Sequence, residues 1–203
     1  TSQMIKECTK PGVVALTFDD GPHDNTPQIL DVLSKKGVKA TFFFIGSNVA
    51  GKEAIVKRAY DEGHQIASHT WSHPGLPELS ADGIKEEMQK TEDALEKAFG
   101  KKVRYMRNPR LEENQVAMDT LNGMDYVQVG VNLDTNDWRD DRKANPSLIL
   151  GTYTDTMASA DPASQSFITL QHDHTNFADA KVGEAIDAIK AKGFTFVTSE
   201  ECL

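Results

Sequence analysis

Five stretches of the chain gather side chains able to do chemistry: Asp19-Asp20-Gly21-Pro22, His69-Thr70-Trp71-Ser72-His73, Arg107-Asn108-Pro109-Arg110, Asp134-Thr135-Asn136-Asp137-Trp138 and His172-Asp173-His174. The His-x3-His spacing of His69 and His73 brings both imidazoles to one face of a helical turn, as a metal site requires. Taken singly, each stretch also has an ordinary reading. Asp-Asp-Gly-Pro makes a good turn, because Asp bonds its own backbone and Gly-Pro stops a strand. Arg-x-Pro is common loop material, Trp138 could be a core residue beside a solvated acid, and His172 could be a satisfied core histidine.

What sets them apart is where they fall. Short apolar segments rich in β-branched and aromatic residues alternate with stretches of helical periodicity. Strands are expected at Val13–Phe18, Ala40–Ile45, Gln65–Ser68, Val103–Met106, Tyr126–Val131, Phe167–Leu170 and Phe194–Val197. Helices are expected at Pro27–Lys36, Glu53–Asp61, Ala81–Phe99 and Glu113–Leu121, then from Pro146, and at Ala178–Lys190. Seven strands alternating with six helices imply an α/β protein built of parallel βαβ units, either an open doubly wound sheet or a closed barrel. In both, reactive groups collect beyond the carboxyl ends of the strands, and five of these strand ends carry His, Asp or Arg.

Composition narrows the function. The 203 residues suit one domain over 1–203, long enough to fold without a structural metal, so metal ligands are free to be functional. Asp and Glu number 31 against 22 Lys and Arg, a net charge of -9 that gives no footprint for nucleic acid. The longest apolar runs, near Val13–Leu16 and Phe42–Ile45, fall far short of the roughly 18 to 20 residues that span a bilayer. The chain starts at Thr1 without a basic-then-apolar leader, as a mature secreted form or a trimmed piece would. Its two cysteines, Cys8 and Cys202, lie near opposite ends, and a domain whose ends meet could join them. Two unrelated thiols in a reducing compartment are the alternative.

The five stretches together, in this order, resemble the polysaccharide deacetylases of the NodB-homology, carbohydrate esterase family 4 group, over roughly Cys8 to Cys202. Thr17-Phe18-Asp19-Asp20-Gly21-Pro22 matches the first motif of that family and His69-Thr70-x-x-His73 the second. Asp134-Thr135-x-Asp137-Trp138 and Leu170-x-His172 match the fourth and fifth. The opening Cys8-Thr-Lys-Pro-Gly-Val-Val-Ala-Leu and the closing Glu-Cys202-Leu are similar to those of fungal chitin deacetylases.

The resemblance implies a distorted (β/α) barrel of about seven parallel strands that removes N-acetyl groups from chitin or chitooligosaccharides. Asp20, His69 and His73 would hold a divalent metal, Zn²⁺ or else Co²⁺; one hard oxygen with two imidazoles leaves positions open for water and substrate. Asp19 would act as general base, tethered by Arg107, and His172 as general acid, partnered by Asp137. The backbone N–H of position 110 would complete an oxyanion hole. Pro109, Arg110, Trp138 and Leu170 would contact substrate, the last two walling the acetyl pocket. The resemblance also favours a Cys8–Cys202 disulfide and a secreted, monomeric enzyme of the extracellular space or cell wall.

The third motif departs from the family pattern: Arg107-Asn108-Pro109-Arg110 stands where Arg-Pro-Pro-Tyr is typical. Losing the leading proline is expected to loosen the loop, since proline fixes its own φ and restricts its predecessor. A polysaccharide-binding relative with weak or no turnover is the alternative that Asn108 and Arg110 raise. A non-haem iron oxygenase could also use two His and one carboxylate. Its ligands usually sit on an antiparallel jelly roll, against which the βα alternation argues.

Overall fold

The computed structural model describes residues 3–173 and 178–203; His174 lies outside them. Among the described residues nine short strands form one sheet, and every pairing between them is parallel. The expected first strand is two: β1 (Val13–Ala15) and β2 (Thr17–Asp19). They separate at Leu16 because the neighbour changes there. On one side β1 pairs with β9 (Thr195–Val197), whereas β2 pairs with β3 (Thr41–Phe44).

From β3 the sheet continues through β4 (Gln65–Ser68) and β5 (Tyr105–Met106) to β6 (Val127–Gln128). A few residues on, β7 (Leu133–Asp134) pairs with β8 (Phe167–His172), which returns to both β1 and β2. The pairings therefore run as one parallel path from β6 to β8, which branches to β1 and β7; among the described residues no strand pairing joins β6 to β7 or β9, so the barrel is distorted and stays open between its end strands. β7 was not foreseen, because a two-residue strand carries no periodic signal.

Strand β3 shows how residue type sorts the layers. All four of its residues are buried, as strands covered on both faces require. Phe42 and Phe44 point to the helices, Phe42 stacking on Phe18 at 5.3 Å and on Phe44 at 5.5 Å. Phe43 points the other way, into an inner cluster with Ala15, Ala67, Val129 and Ile168. That inner cluster also holds Cys8 and Cys202, which are joined in a disulfide with Cα atoms 4.6 Å apart.

The helices follow the capping rules. In α3 (Ala81–Phe99) the buried residues Ile84, Met88, Thr91, Leu95 and Ala98 recur at three and four, making one apolar stripe. Ser80 caps its start by accepting from Gly83 N, and Gly100, at φ 87°, ends it in the left-handed conformation. Helices α1 (Thr26–Lys36) and α2 (Glu53–Asp61) lie near their expected bounds. Helix α4 (Gln115–Gly123) starts two residues later than Glu113, because Asn114 Oδ1 caps it by accepting from Ala117 N at 2.8 Å. A short α5 (Asp140–Ala144) precedes α6 (Ser147–Ser159); α7 (Ala178–Lys192) and α8 (Ser199–Cys202) close the series. Among the described residues, no helix is long and apolar enough to cross a membrane.

Candidate active site

The carboxyl ends of β2, β4, β5, β7 and β8 meet around a pocket of about 450 Å³. Asp19, Asp20, His69, His73, Arg110, Trp138, Leu170 and His172 all line it. Three other predicted residues stand behind the wall: Arg107 and Asp137 are wholly buried, and Pro109 is buried under the loop it begins.

The backbone is strained where these groups are presented. Among the described residues, seven other than glycine have positive φ, and six sit in the strand-end loops: Asp20, Thr70, His73, Arg110, Leu111 and Asn136. Such conformations cost on the order of 1–3 kcal/mol each and persist only where the surroundings fix them. Gly21 shows the fixing at close range. A Cβ there would stand 1.9 Å from Asp173 Oδ2, and that carboxylate in turn accepts from Thr26 Oγ1 at 2.8 Å. Burial, with the charge of Asp20, pushes the Asp173 carboxyl up to about 7, against the Thr26 hydrogen bond.

Donor atoms converge at one point. Asp20 Oδ1 lies 3.2 Å from His69 Nε2 and 3.4 Å from His73 Nε2. His69 Nδ1 is 2.8 Å from the carbonyl oxygen of Arg107. Only a protonated Nδ1 can donate to a carbonyl, so in the neutral ring Nε2 keeps its lone pair for a ligand, the usual second support of a metal-bound histidine. A carboxylate oxygen and two imidazole nitrogens within 4.8 Å of one another fit a divalent ion by number, type and convergence. Burial raises the Asp20 carboxyl, but the hydrogen bond and charge of His69, with His172 and His73, outweigh it and hold it well below the usual carboxylate range. Burial beside His69 also lowers His73, which favours the neutral, ligating ring.

Two further groups flank this cluster. Asp19 Oδ1 accepts from Arg107 Nη1 at 2.8 Å, and its Oδ2 lies 3.7 Å from His69 Nε2. Arg107 is held from all sides: Nη1 also reaches Thr17 Oγ1 at 2.6 Å, Nε the carbonyl of Val129 and Nη2 that of Gly130. Its guanidinium lies over the ring of Phe43 at 4.2 Å. On the neighbouring strand β8, His172 Nδ1 is 2.6 Å from Asp137 Oδ1, while His172 Nε2 lies 3.7 Å from Asp20 Oδ2. Burial opposes a charged ring, but the Asp137 hydrogen bond and charge, with Asp19 and Asp20, push His172 up to about 9. The imidazolium therefore persists through neutral pH.

Along the rim, Trp138 is 55% exposed, so it faces solvent and is not a core residue. Arg110 points its guanidinium past Gly75 and pairs with Glu112 Oε1 at 2.8 Å, so part of its charge is matched outside the donor cluster. Among the described residues nothing accepts a hydrogen bond from the Arg110 N–H. Asn108, Leu111, Asp134 and Asn136 also line the pocket. Three of them lie in the stretches singled out by sequence, where their neighbours drew the attention; Leu111 carried no signal. A larger cavity of about 740 Å³, at the starts of β4 and β5, is lined by Tyr60, His64 and Lys101 among others. The only grouping of metal donors among the described residues is the one beneath the smaller pocket.

The polysaccharide deacetylase family model matches residues 6–129. The chain is 43% identical over 204 residues to a chitin deacetylase of Pestalotiopsis sp, covering 98% of this chain and 66% of that protein, just under two thirds of its length. It is 38% identical over 205 residues to a chitin deacetylase of Colletotrichum lindemuthianum, covering 98% of this chain and 82% of that protein. The solved structure of the chitin deacetylase from the fungal pathogen Colletotrichum lindemuthianum superposes with a TM-score of 0.93 at 35% identity, covering 98% of this chain and 90% of that one.

Proposed function

Because the chain belongs to the polysaccharide deacetylase family, we propose that it is a metal-dependent hydrolase that removes N-acetyl groups from chitin or chitooligosaccharides, releasing acetate and leaving glucosamine units. The observation that carries the reading is that Asp19 Oδ2 and His172 Nε2 each lie 3.7 Å from a member of the Asp20, His69 and His73 donor set within one pocket. A divalent ion held by those three donors, Zn²⁺ or Co²⁺, would supply Lewis acidity to the acetamide carbonyl and acidity to a water.

The remaining work falls to side chains and one backbone amide. Asp19 has one oxygen committed to Arg107, which leaves Oδ2, on the donor side, to take the proton of the attacking water. The Arg110 N–H, with no acceptor among the described residues, is available to the oxyanion that develops on the carbonyl oxygen. His172, protonated and anchored through Nδ1 to Asp137, has Nε2 to protonate the departing amine. Trp138 gives a flat apolar face for a sugar ring, and Leu170 an apolar wall for the acetyl methyl.

We further read residues 1–203 as one domain, acting as a monomer outside the cell or in its wall. The Cys8–Cys202 bond supports that location, since disulfides persist in oxidising compartments. Acetate release is the test, run across chitin oligomers, acetylxylan and peptidoglycan with metal content measured on the same sample. Turnover on chitin oligomers above a chelated control supports the reading; none on any substrate overturns it. A groove that binds oligosaccharide without turnover is the second reading, which the arginine at position 110 favours; restored turnover in Arg110→Tyr would support it. The parallel barrel argues against the iron-oxygenase alternative.

A further inference from the structure

We propose that Asn108 is a positioning residue whose side-chain amide clamps the 108–112 loop and so fixes the direction of the Arg110 N–H; this rests on reading that N–H as the oxyanion donor. Asn108 is completely buried at the end of β5, and its Nδ2 donates to the carbonyl oxygen of Glu112 at 3.0 Å. Main-chain bonds run alongside: Leu111 N donates to Asn108 O at 2.9 Å and Glu112 N to Pro109 O at 3.2 Å. The side-chain bond spans the whole turn, from its first residue to its last, and encloses Pro109, Arg110 and Leu111.

Inside that ring lie two consecutive left-handed residues, Arg110 at φ 55° and Leu111 at φ 57°. Neither is a glycine, so the turn needs an external constraint to hold its shape. The Arg110 to Glu112 ion pair is half-exposed and screened, which makes it a weak constraint. The Asn108 bond is part-buried and its donor side chain wholly so, which shields it from water more than the ion pair is shielded. Asn108 Oδ1, by contrast, is buried with no partner among the described residues. A buried amide with one unsatisfied oxygen is a poor choice for stability alone, so its value lies with Nδ2. The looseness expected from a missing proline at this position is thereby answered by a side chain.

The geometry supplies its own rescue. Asn108 sits at φ -68° and ψ 130°, and no described residue accepts from its N–H, so a proline fits its backbone. Asn108→Ala removes the clamp, whereas Asn108→Pro removes it but stiffens the same turn covalently.

The experiment compares wild type, Asn108→Ala and Asn108→Pro, each metal-loaded. It reads hydrogen exchange at the Leu111 and Glu112 amides, with α3 amides as a control for global stability, together with kcat and KM on a chitin oligomer. In Asn108→Ala we expect exchange at both loop amides to quicken about tenfold or more while α3 is unchanged. Turnover should fall by about 10- to 100-fold in kcat with KM nearly constant, the signature of a lost transition-state contact. Asn108→Pro should recover both. Unchanged loop exchange in Asn108→Ala, a proline variant as loose as the alanine, or a rise in KM alone would overturn the proposal. If wild type shows no turnover the oxyanion reading fails, and the exchange data still judge the clamp.

Discussion

Arg107 Nη1 lies 2.8 Å from Asp19 Oδ1, and both side chains are almost entirely buried, their exposures being 0% and 4%. The same residue offers its backbone carbonyl to His69 Nδ1 at 2.8 Å. One position thus orients both the proposed base and one of the proposed metal ligands, and itself hangs from the carbonyls of Val129 and Gly130. Arg107→Met should therefore leave the Asp19 carboxylate buried without its cation. Urea denaturation is expected to show a loss of about 3–5 kcal/mol, the usual cost of breaking a buried pair by removing one partner. A loss within about 1 kcal/mol, the range of an exposed pair, would mean that Asp19 finds another partner.

Asp19→Asn separates the two neighbouring acids. Asp20, His69 and His73 are untouched, so metal should remain stoichiometric by elemental analysis while acetate release falls by about 10²–10⁴-fold, the range for a lost general base. Loss of metal along with activity would contradict the division of labour between Asp19 and Asp20.

Asp137 is expected to set the alkaline limit of turnover. It is the partner that lifts His172 to about 9 against burial, so the ring loses its proton, and the reaction its acid, as pH rises through that value. In Asp137→Asn burial acts with less opposition and the alkaline limb should move to lower pH, with the largest rate loss above neutrality. An unmoved limb in a kcat profile would remove His172 from the acid role.

His64 should make the fold acid-sensitive away from the site. It is 3% exposed, its Nδ1 accepts from Ala40 N at 3.0 Å, and burial, with the charges of Lys39 and Arg58, lowers it to about 4 from 6.5. The unfolded chain then binds more protons than the native one between those values. Stability from the neutral ring is complete above about pH 6.5 and drains away as pH falls toward 4, by about 3 kcal/mol in all. His64→Asn keeps an acceptor that cannot be protonated, so its unfolding free energy should decline less steeply over that window. Identical acid slopes would exclude His64 as the cause.

The Cys8–Cys202 bond closes a loop of 194 residues, and chain entropy alone assigns such a loop about 5 kcal/mol as an upper figure. Dithiothreitol, or Cys8→Ser with Cys202→Ser, should lower the thermal midpoint. Because the bond sits in the inner cluster and not at the pocket, kcat at a temperature where the protein stays folded should hardly change. A fall in kcat as large as that of Asp19→Asn would contradict this separation.

Much of the site was legible because polar residues at strand ends stand out against apolar strands. Asp19, His69, Arg107 and His172 each lie on, or directly after, a strand that the pattern located, and the bounds of β4, α2 and α3 are those expected. Less legible were features that depend on partners distant in the chain. The break at Leu16 follows from a change of neighbour, and β7 exists only through its pairing with β8. The role of Asn108 was hidden for the same kind of reason: a departure from a familiar motif reads as a loss until the bond to Glu112 O is seen. Asp173 was noticed only as the neighbour of His172, since its fit against Gly21 spans two strand ends.

The chain has two tryptophans, and they sit in unlike surroundings: Trp71 packs against Gly46, while Trp138 stands 55% exposed on the pocket rim. An indole in water emits differently from one covered by a sugar ring. Saccharide titrations can therefore be followed by intrinsic fluorescence with no label attached, and a Trp138→Phe control would assign the signal, making occupancy of the groove measurable independently of any acetate released.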